Sequence, residues 1–272
     1  MNLLRQFYLD QPNEISLETL AKCNAACTFC PYPTMERQGD RMSDDLIDRL
    51  VGEMAAFRLP FLFSPFKVNE PLLDVRTIPL LERMNREVSR ARLRIFTNGH
   101  PLTPEKIAAI GKLRNVEHLW ISLNEYRSEE YQKLMGLPFE RVVKRLDDLH
   151  ASDFPHPVML SCVGYPNEDF RYWCWQRWPN FQSMAIRKTG WLGEIDPQEY
   201  PIPSGQCSRW FELSIMANGV VSLCCMDSEG KYALGDLKTH SLLEIYNQPL
   251  LRERRERVLS RAGVTPCAGC NY

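Results

Sequence analysis

The chain has 272 residues, of which 44% are hydrophobic, and its formal net charge is −1 at pH 7. This length is enough for one sizeable core with a smaller appended module. The near-neutral charge, without a long block of like charges, argues against a dedicated nucleic-acid binder. No apolar run approaches the ~20 residues of a membrane span, and residues 1–14 lack the apolar core of a signal peptide. We therefore expect a cytoplasmic protein whose partners include neither nucleic acid nor a membrane.

Short apolar runs alternate with longer amphipathic segments along most of the chain. Strands are predicted at 14–20, 61–66, 93–97, 116–123, 158–164 and 183–187. Helices are predicted between them at 43–57, 77–89, 103–113, 128–135, 139–151 and 168–177. Ser43 and the pair Thr103–Pro104 are typical helix-opening residues. This alternation predicts an α/β fold with parallel strands and right-handed crossovers, and we favour a partial (β/α)6 barrel over an open doubly wound sheet.

Polar segments follow the predicted strands. A loop with three cysteines follows the first strand, "KVNEP" (67–71) follows the second, and "TNG" (97–99) follows the third. Ser122 ends the fourth strand, and Arg187 ends the last one. Functional groups in parallel α/β folds gather at the carboxyl ends of the strands. We therefore expect these segments to surround one site.

The three cysteines of the first loop are Cys23, Cys27 and Cys30, with C-x3-C-x2-C spacing. Clustered cysteines in a cytosolic protein indicate metal or cluster ligation, because disulfides are rare in that compartment. Structural zinc normally takes four protein ligands, and no histidine occurs before His100. A [4Fe–4S] cluster is normally held by four cysteines, so three would leave one iron open to bind another molecule.

The segment "CNAACTFC" resembles the signature of the radical S-adenosylmethionine (SAM) enzymes. The resemblance implies that the open iron binds the amino and carboxylate groups of SAM. "VNEP", "FTNG" and "ISLN" resemble the motifs that follow later strands in this family, although Val68 and Asn69 stand where the family has a glycine pair. The residues that the resemblance assigns to the SAM site are Phe29, Asn69, Glu70, Pro71, Asn98, Gly99 and Ser122.

A second group of cysteines lies near the C-terminus. Cys207, Gly219 and Cys224 resemble the opening of the SPASM extension, and one C-x2-C pair, Cys267 and Cys270, follows them. This spacing resembles the shortened twitch form, and it implies one auxiliary [4Fe–4S] cluster held by these four cysteines. Zinc in a tetrahedral site is the alternative, and Cys225 is an alternative to Cys224 as a ligand. We divide the chain into a barrel at 1–200 and an auxiliary cluster domain at 201–272.

The resemblance implies reductive cleavage of SAM to a 5′-deoxyadenosyl radical, with an external one-electron donor such as flavodoxin or ferredoxin. We predict oxidation of a secondary alcohol of a sugar or aminocyclitol, with the auxiliary cluster as the electron acceptor. The members similar to 2-deoxy-scyllo-inosamine dehydrogenase are the model for this prediction. Arg187 is the predicted residue for binding an anion of SAM or substrate, or for receiving the hydroxyl proton.

Three alternatives remain open from the sequence. A radical SAM epimerase would use Cys225 as a hydrogen-atom donor to the substrate radical. A peptide-modifying enzyme of ribosomal natural products would use related C-terminal clusters. A non-catalytic iron–sulfur electron carrier would have no use for an open iron. The remaining cysteines, Cys162 and Cys174, are predicted to be small buried core residues.

Overall fold

A single β-sheet of nine strands runs through the protein in the computed structural model, which describes residues 3–164, 167–196 and 201–272. The strands are β1 (Glu14–Leu17), β2 (Phe61–Ser64), β3 (Ala91–Thr97), β4 (Val116–Ser122), β5 (Val158–Val163), β6 (Gln182–Ile186), β7 (Glu212–Ile215), β8 (Val220–Ser222) and β9 (Ala233–Asp236). Their order across the sheet is β6-β5-β4-β3-β2-β1-β7-β8-β9. Strands β1 to β7 pair in parallel, and β8 and β9 are antiparallel additions. The sheet is not closed, because β6 and β9 form its two edges.

Nine helices accompany the sheet within the described ranges. They are α1 (Leu3–Phe7), α2 (Asp44–Ala55), α3 (Thr77–Glu87), α4 (Pro104–Gly111), α5 (Ser128–Met135), α6 (Phe139–His150), α7 (Glu168–Arg177), α8 (Leu242–Tyr246) and α9 (Pro249–Arg257). The Ser43 hydroxyl caps α2 by accepting a hydrogen bond from the Leu46 amide at 3.3 Å, and Pro104 opens α4 as predicted. Within the part of the chain that the structure describes, no helix is long and apolar enough to cross a membrane.

The predicted alternation of strands and helices is confirmed, and it builds a partial (β/α)6 barrel from β1 to β6. Five of the six predicted strands end sooner than the sequence pattern indicated, β4, β5 and β6 by one residue and β1 and β2 by two or three. β2 stops at Ser64 because Pro65 has no amide hydrogen for the ladder, and β1 stops at Leu17. The C-terminal residues do not form a separate sheet: β7 pairs in parallel with β1, so the barrel sheet continues into the cysteine-rich segment.

The two sides of the sheet differ in chemistry because successive side chains of a strand point to opposite faces. On β1, Ile15 and Leu17 are fully buried in the aliphatic core that contains the inner faces of the helices. Glu14 and Ser16, which alternate with them, line a cavity on the concave side. The same alternation on β3 buries Leu93 and exposes polar and aromatic groups to that cavity. The fold therefore places an aliphatic layer outside and a polar site inside.

Candidate active site

A cavity with a volume of about 570 Å³ runs along the inner face of the sheet to the carboxyl ends of the parallel strands. Cys23, Cys27 and Cys30 line it together. The cysteine loop is held against the end of α5, where the Ala26 amide donates to the Met135 carbonyl at 3.0 Å and the Thr28 amide to that of Leu134. The three sulfur atoms thus share one wall of a cavity that is large enough for a further ligand.

Burial keeps the thiols of this loop protonated when no metal is bound. Burial raises the pKa of Cys23 to about 11 and that of Cys30 to about 12. The pKa of Cys27 is raised as well, through burial and through the neighbouring cysteines. Cluster ligation requires thiolates, so binding iron at this site must release protons.

Glu70 is a buried carboxylate that lies beside the cysteine loop and acts electrostatically on Cys23. It accepts hydrogen bonds from the Asn98 amide at 2.6 Å, the Thr97 hydroxyl at 2.9 Å and the Leu72 amide at 3.1 Å. Burial raises its pKa to about 7, although these hydrogen bonds work in the opposite direction. The Asn98 side-chain amide in turn donates to Asn24 inside the cysteine loop at 2.8 Å. The second and third strand motifs are therefore joined to the first through one hydrogen-bond chain.

The structure brings most of the predicted site residues into this cavity. The predicted residues that line it beside the three cysteines are Phe29, Asn69, Glu70, Asn98, Ser122, Arg187 and Cys225. Pro71 does not line it, because it starts a 3-10 turn over 71–73 that the Glu70 side chain caps. Gly99 does not line it either. Gly99 has a φ of +82°, and a Cβ there would lie 2.9 Å from a methyl group of Val142, so its contribution is to the backbone turn.

The four remaining predicted cysteine ligands line a second, narrow cavity. They are Cys207, Cys224, Cys267 and Cys270. Its other polar lining comes from Arg209, Arg261 and Tyr272, with no histidine or carboxylate among the lining residues described. Cys225 does not line this cavity and faces the large one instead, which supports Cys224 as the ligand.

Several residues of the large cavity carry no signal in the sequence motifs. They are Glu14, Arg94, Trp120, Trp191, Arg209 and Tyr272. Three further lining residues, Lys67, Phe96 and Asn124, lie within the motif segments but are not among the predicted site residues. The alternation of side chains along a strand could have identified the residues of β3 and β4 that point into the cavity. It could not have identified Arg209 and Tyr272, because they come from distant segments of the chain. Lys67 is 1% exposed and donates from Nζ to the Asp227 carbonyl at 2.6 Å. Burial lowers the pKa of Lys67.

The donor chemistry of both cavities fits the groups that the sequence implies. Thiolates are the ligands of [4Fe–4S] clusters, and each cavity holds one cysteine set. In the large cavity, the Asn69 Nδ2 atom is buried without a hydrogen-bond partner among the described residues, so it is a donor that a ligand such as SAM can satisfy. Nowhere in the described ranges do three or more His, Cys, Asp or Glu side chains form a ready-made site for one metal ion.

Comparison with known proteins identifies both parts of the chain. The model of the radical SAM superfamily matches residues 17–173, and that of SPASM, an iron–sulfur cluster-binding domain, matches residues 207–271. These matches imply a SAM-binding [4Fe–4S] cluster and an auxiliary iron–sulfur centre, in place of the zinc alternative. No curated protein matches the sequence.

Solved structures share the fold across nearly the whole chain. BtrN in complex with AdoMet and 2-DOIA has a TM-score of 0.68 at 15% identity, over 96% of this chain and 93% of BtrN. Streptococcus suis SuiB bound to its precursor peptide SuiA has a TM-score of 0.72 at 13% identity, over 96% of this chain and 70% of SuiB. Native anSMEcpe with bound AdoMet has a TM-score of 0.68 at 13% identity, over 95% and 88% of the two chains. At these identities the likeness establishes the fold. Because the first family model spans more than half of the chain and contains all three cysteines of the first loop, this protein belongs to the radical SAM superfamily.

Proposed function

We propose that this protein is a radical SAM dehydrogenase that oxidises a secondary alcohol of a sugar or aminocyclitol. One observation carries the proposal: the cavity lined by Cys23, Cys27 and Cys30 extends to Arg209 and Tyr272, which also line the cavity of the four C-terminal cysteines. A substrate in the large cavity therefore lies between the two cysteine sites. The group that generates the radical at the first site and the group that accepts an electron at the second site would then both face the substrate.

When bound, SAM and the first cluster supply a 5′-deoxyadenosyl radical, and the auxiliary cluster supplies a one-electron acceptor. With these groups held by Cys23, Cys27 and Cys30 and by Cys207, Cys224, Cys267 and Cys270, the carbinol carbon would lose a hydrogen atom to the radical, which would give 5′-deoxyadenosine. The substrate would then lose its hydroxyl proton to a base of the cavity wall and one electron to the auxiliary centre. The C–O bond becomes a carbonyl, so the substrate has lost two hydrogen atoms in total.

The residues of the chain bind and orient the reactants. Glu70, held by three hydrogen bonds, is suited to the SAM amino group, and the unpartnered Nδ2 of Asn69 to a SAM oxygen. Phe29 and Trp191 line the same cavity, where the Trp191 indole donates to the Phe29 carbonyl at 3.1 Å. These rings help to exclude water from the radical.

The proposed roles of the charged groups follow from their chemistry. Arg187 lines the cavity. Because a guanidinium stays protonated in proteins, Arg187 is better suited to binding an oxygen or an anion than to accepting the hydroxyl proton. Glu14 is the lining carboxylate other than Glu70, and its strand places it away from the cysteine loop. We assign the hydroxyl proton to this carboxylate.

The size of the cavity supports a small substrate. Pockets for a single drug-sized ligand have volumes of about 300–1,000 Å³, and the 570 Å³ available here has to accommodate SAM as well. BtrN, which is similar over 93% of its own length, was solved with AdoMet and 2-DOIA. SuiB was solved with the precursor peptide SuiA, and anSMEcpe was also solved with AdoMet and the Cp18Cys peptide, so peptide modification is retained as an outcome of the test.

One observation favours a second function, an epimerase. Cys225 lines the large cavity, whereas its neighbour Cys224 lines the cavity of the C-terminal cysteines. A thiol that is not needed as a ligand can return a hydrogen atom to a carbon radical. An epimerase would therefore use Cys225 to complete the reaction, and a dehydrogenase would not.

The test is an anaerobic incubation of the reconstituted enzyme with a reductant, SAM and a panel of sugars, aminocyclitols and peptides in D2O, followed by mass spectrometry. Dehydrogenation predicts a product two mass units lighter than the substrate, with activity retained in Cys225→Ala. Incorporation of one deuterium at the reacting carbon, with loss of product in Cys225→Ala while 5′-deoxyadenosine still forms, would instead establish the epimerase. A modified peptide would replace the alcohol as the substrate. Absence of 5′-deoxyadenosine with every compound would leave only electron transfer.

A further inference from the structure

Three side chains, Arg209, Met226 and Tyr272, line both the large cavity and the cavity of the four C-terminal cysteines. They form the wall between the two sites. Arg209 is the cation among them. Its position follows from the sheet, because it lies in the 3-10 turn Ser208–Phe211 that leads directly into β7 beside β1.

The guanidinium of Arg209 is held from several sides. It donates to a Glu212 carboxylate oxygen at 2.6 Å and to the Tyr272 hydroxyl, and its central carbon lies 4.4 Å from the centre of the Tyr272 ring. The carboxylate of Glu14 lies 4.0 Å away. The side chain is 19% exposed, and its Nε atom is buried without a hydrogen-bond partner among the described residues. The wall thus contains a fixed positive charge with an unused donor.

A fixed cation at this wall has a physical consequence for the centre bound by the four cysteines. Reduction adds a negative charge, and a nearby positive charge stabilises the reduced form. The reduction potentials of iron–sulfur centres respond to local charge and to hydrogen bonds. A centre behind a wall that contains such a cation would therefore be easier to reduce than the same centre behind a neutral wall.

We propose that Arg209 is a positioning residue that raises the reduction potential of the auxiliary centre and so draws the electron from the substrate radical across the shared wall. This inference rests on the proposed function, since it assigns the auxiliary centre as the electron acceptor. It adds a specific residue of this chain that controls how well the centre performs that role. Glu212, the carboxylate bonded to Arg209, opposes the effect by offsetting part of its charge.

The structure provides matched variants. Arg209→Gln removes the charge at the wall, and Arg209→Lys keeps it. Glu212→Gln removes the opposing carboxylate, which lines neither of the two cysteine cavities. Arg254→Gln removes a cation that lies outside both cavities, with its guanidinium carbon 5.6 Å from the centre of the Trp210 ring.

The experiment is a redox titration of the auxiliary centre, followed by electron paramagnetic resonance without substrate. Each variant is placed in the full chain that carries Cys23→Ala, Cys27→Ala and Cys30→Ala, so that only the auxiliary centre contributes to the signal. We expect Arg209→Gln to be roughly tenfold harder to reduce, which is ~59 mV for one electron. Arg209→Lys should retain most of the parent potential, Glu212→Gln should shift it upward, and Arg254→Gln should match the parent.

An Arg209→Gln potential equal to that of Arg254→Gln would overturn the inference. If Arg209→Gln fails to hold iron, Glu212→Gln decides, and an unchanged or lower potential in that variant overturns the inference too. Failure of the proposed function is distinguishable from this result, because the potential is measured without any alcohol. A shift without alcohol oxidation would refute the dehydrogenase alone, and alcohol oxidation without a shift would refute the role of Arg209 alone.

Discussion

The two cysteine sites of this protein differ in how they are built. Cys23, Cys27 and Cys30 come from one loop of eight residues and line a cavity of about 570 Å³. Cys207, Cys224, Cys267 and Cys270 come from three separate segments and line a narrow cavity. The first site offers three sulfur atoms beside open space, and the second offers four in a confined place. The contrast matches the proposed function, in which the first centre binds another molecule and the second only exchanges electrons.

Their electrostatic surroundings differ as well. Beside the first site, Glu70 is a buried carboxylate whose pKa is raised to about 7 by burial. Beside the second site, Arg209 and Arg261 line the cavity, and the Arg261 guanidinium donates to the Tyr272 carbonyl at 2.7 Å. A carboxylate suits a cationic ligand such as SAM, whereas cations stabilise the charge of a fully thiolate-ligated cluster.

The largest effect is expected from removal of the first site. The triple variant Cys23→Ala, Cys27→Ala and Cys30→Ala should form no detectable 5′-deoxyadenosine and should lose about half of roughly eight irons per chain. Iron and sulfide assays, with detection of 5′-deoxyadenosine, measure both effects. Cys162→Ala is the matched control, since Cys162 is buried in the core and should leave the iron content unchanged. Complete loss of iron in the triple variant would mean that the two sites are not independent.

The neighbours Cys224 and Cys225 sharpen the comparison at the second site. Cys224→Ala should reduce the iron content by about half while cleavage of SAM continues, because Cys224 lines the narrow cavity. Cys225→Ala should keep all of its iron, because Cys225 faces the large cavity. The same assays on both variants test the assignment. The opposite result, with iron lost only from Cys225→Ala, would exchange the two roles.

A smaller effect is expected at Glu70 in the metal-free protein. Its pKa is raised from the ordinary value of 4.5 to about 7, so between these values the folded state holds a proton that the unfolded state releases. The stabilisation is fully present below pH 4.5 and is lost as the pH rises through about 7, by roughly 3 kcal/mol.

Denaturant unfolding of the metal-free protein at pH 5 and pH 8 measures this contribution. Glu70→Gln should lack it, so its free energy of unfolding should fall less than that of the parent protein between the two pH values. Parallel pH profiles for both proteins would show that Glu70 does not titrate in this window.

The smallest effect concerns the turn after β3. Gly99→Ala should destabilise the fold by about 2–3 kcal/mol, because a positive φ costs roughly 1–2 kcal/mol for alanine and the added methyl group meets Val142 and Ile121. Gly39→Ala is the control. It has a similar φ of +89° with no atom within 4 Å of the added carbon, so it should show only the backbone cost. Thermal unfolding of the two variants compares them, and equal losses would exclude the steric contribution.

The sequence by itself determined the features that depend on neighbouring residues. The three cysteines of the first loop lie close together in the sequence. The Ser43 cap, the Pro104 helix start and the alternation of strands with amphipathic helices likewise depend only on residues that are near one another in the chain. Each of these follows from residue spacing or from backbone chemistry, and the structure confirms the cap, the helix start and the alternation. Local rules also located the strand ends and following loops that carry Glu70, Asn98 and Ser122.

Only the tertiary structure decided the features that depend on long-range packing. Cys224 and Cys225 are adjacent in the chain, and the cavity that each one faces is set by how their loop after β8 packs. Likewise, β7 pairs with β1 across almost two hundred residues of sequence, and this pairing brings Arg209 to the wall between the two cavities. No local periodicity encodes such a pairing, because the contacts that stabilise it exist only after the barrel has formed.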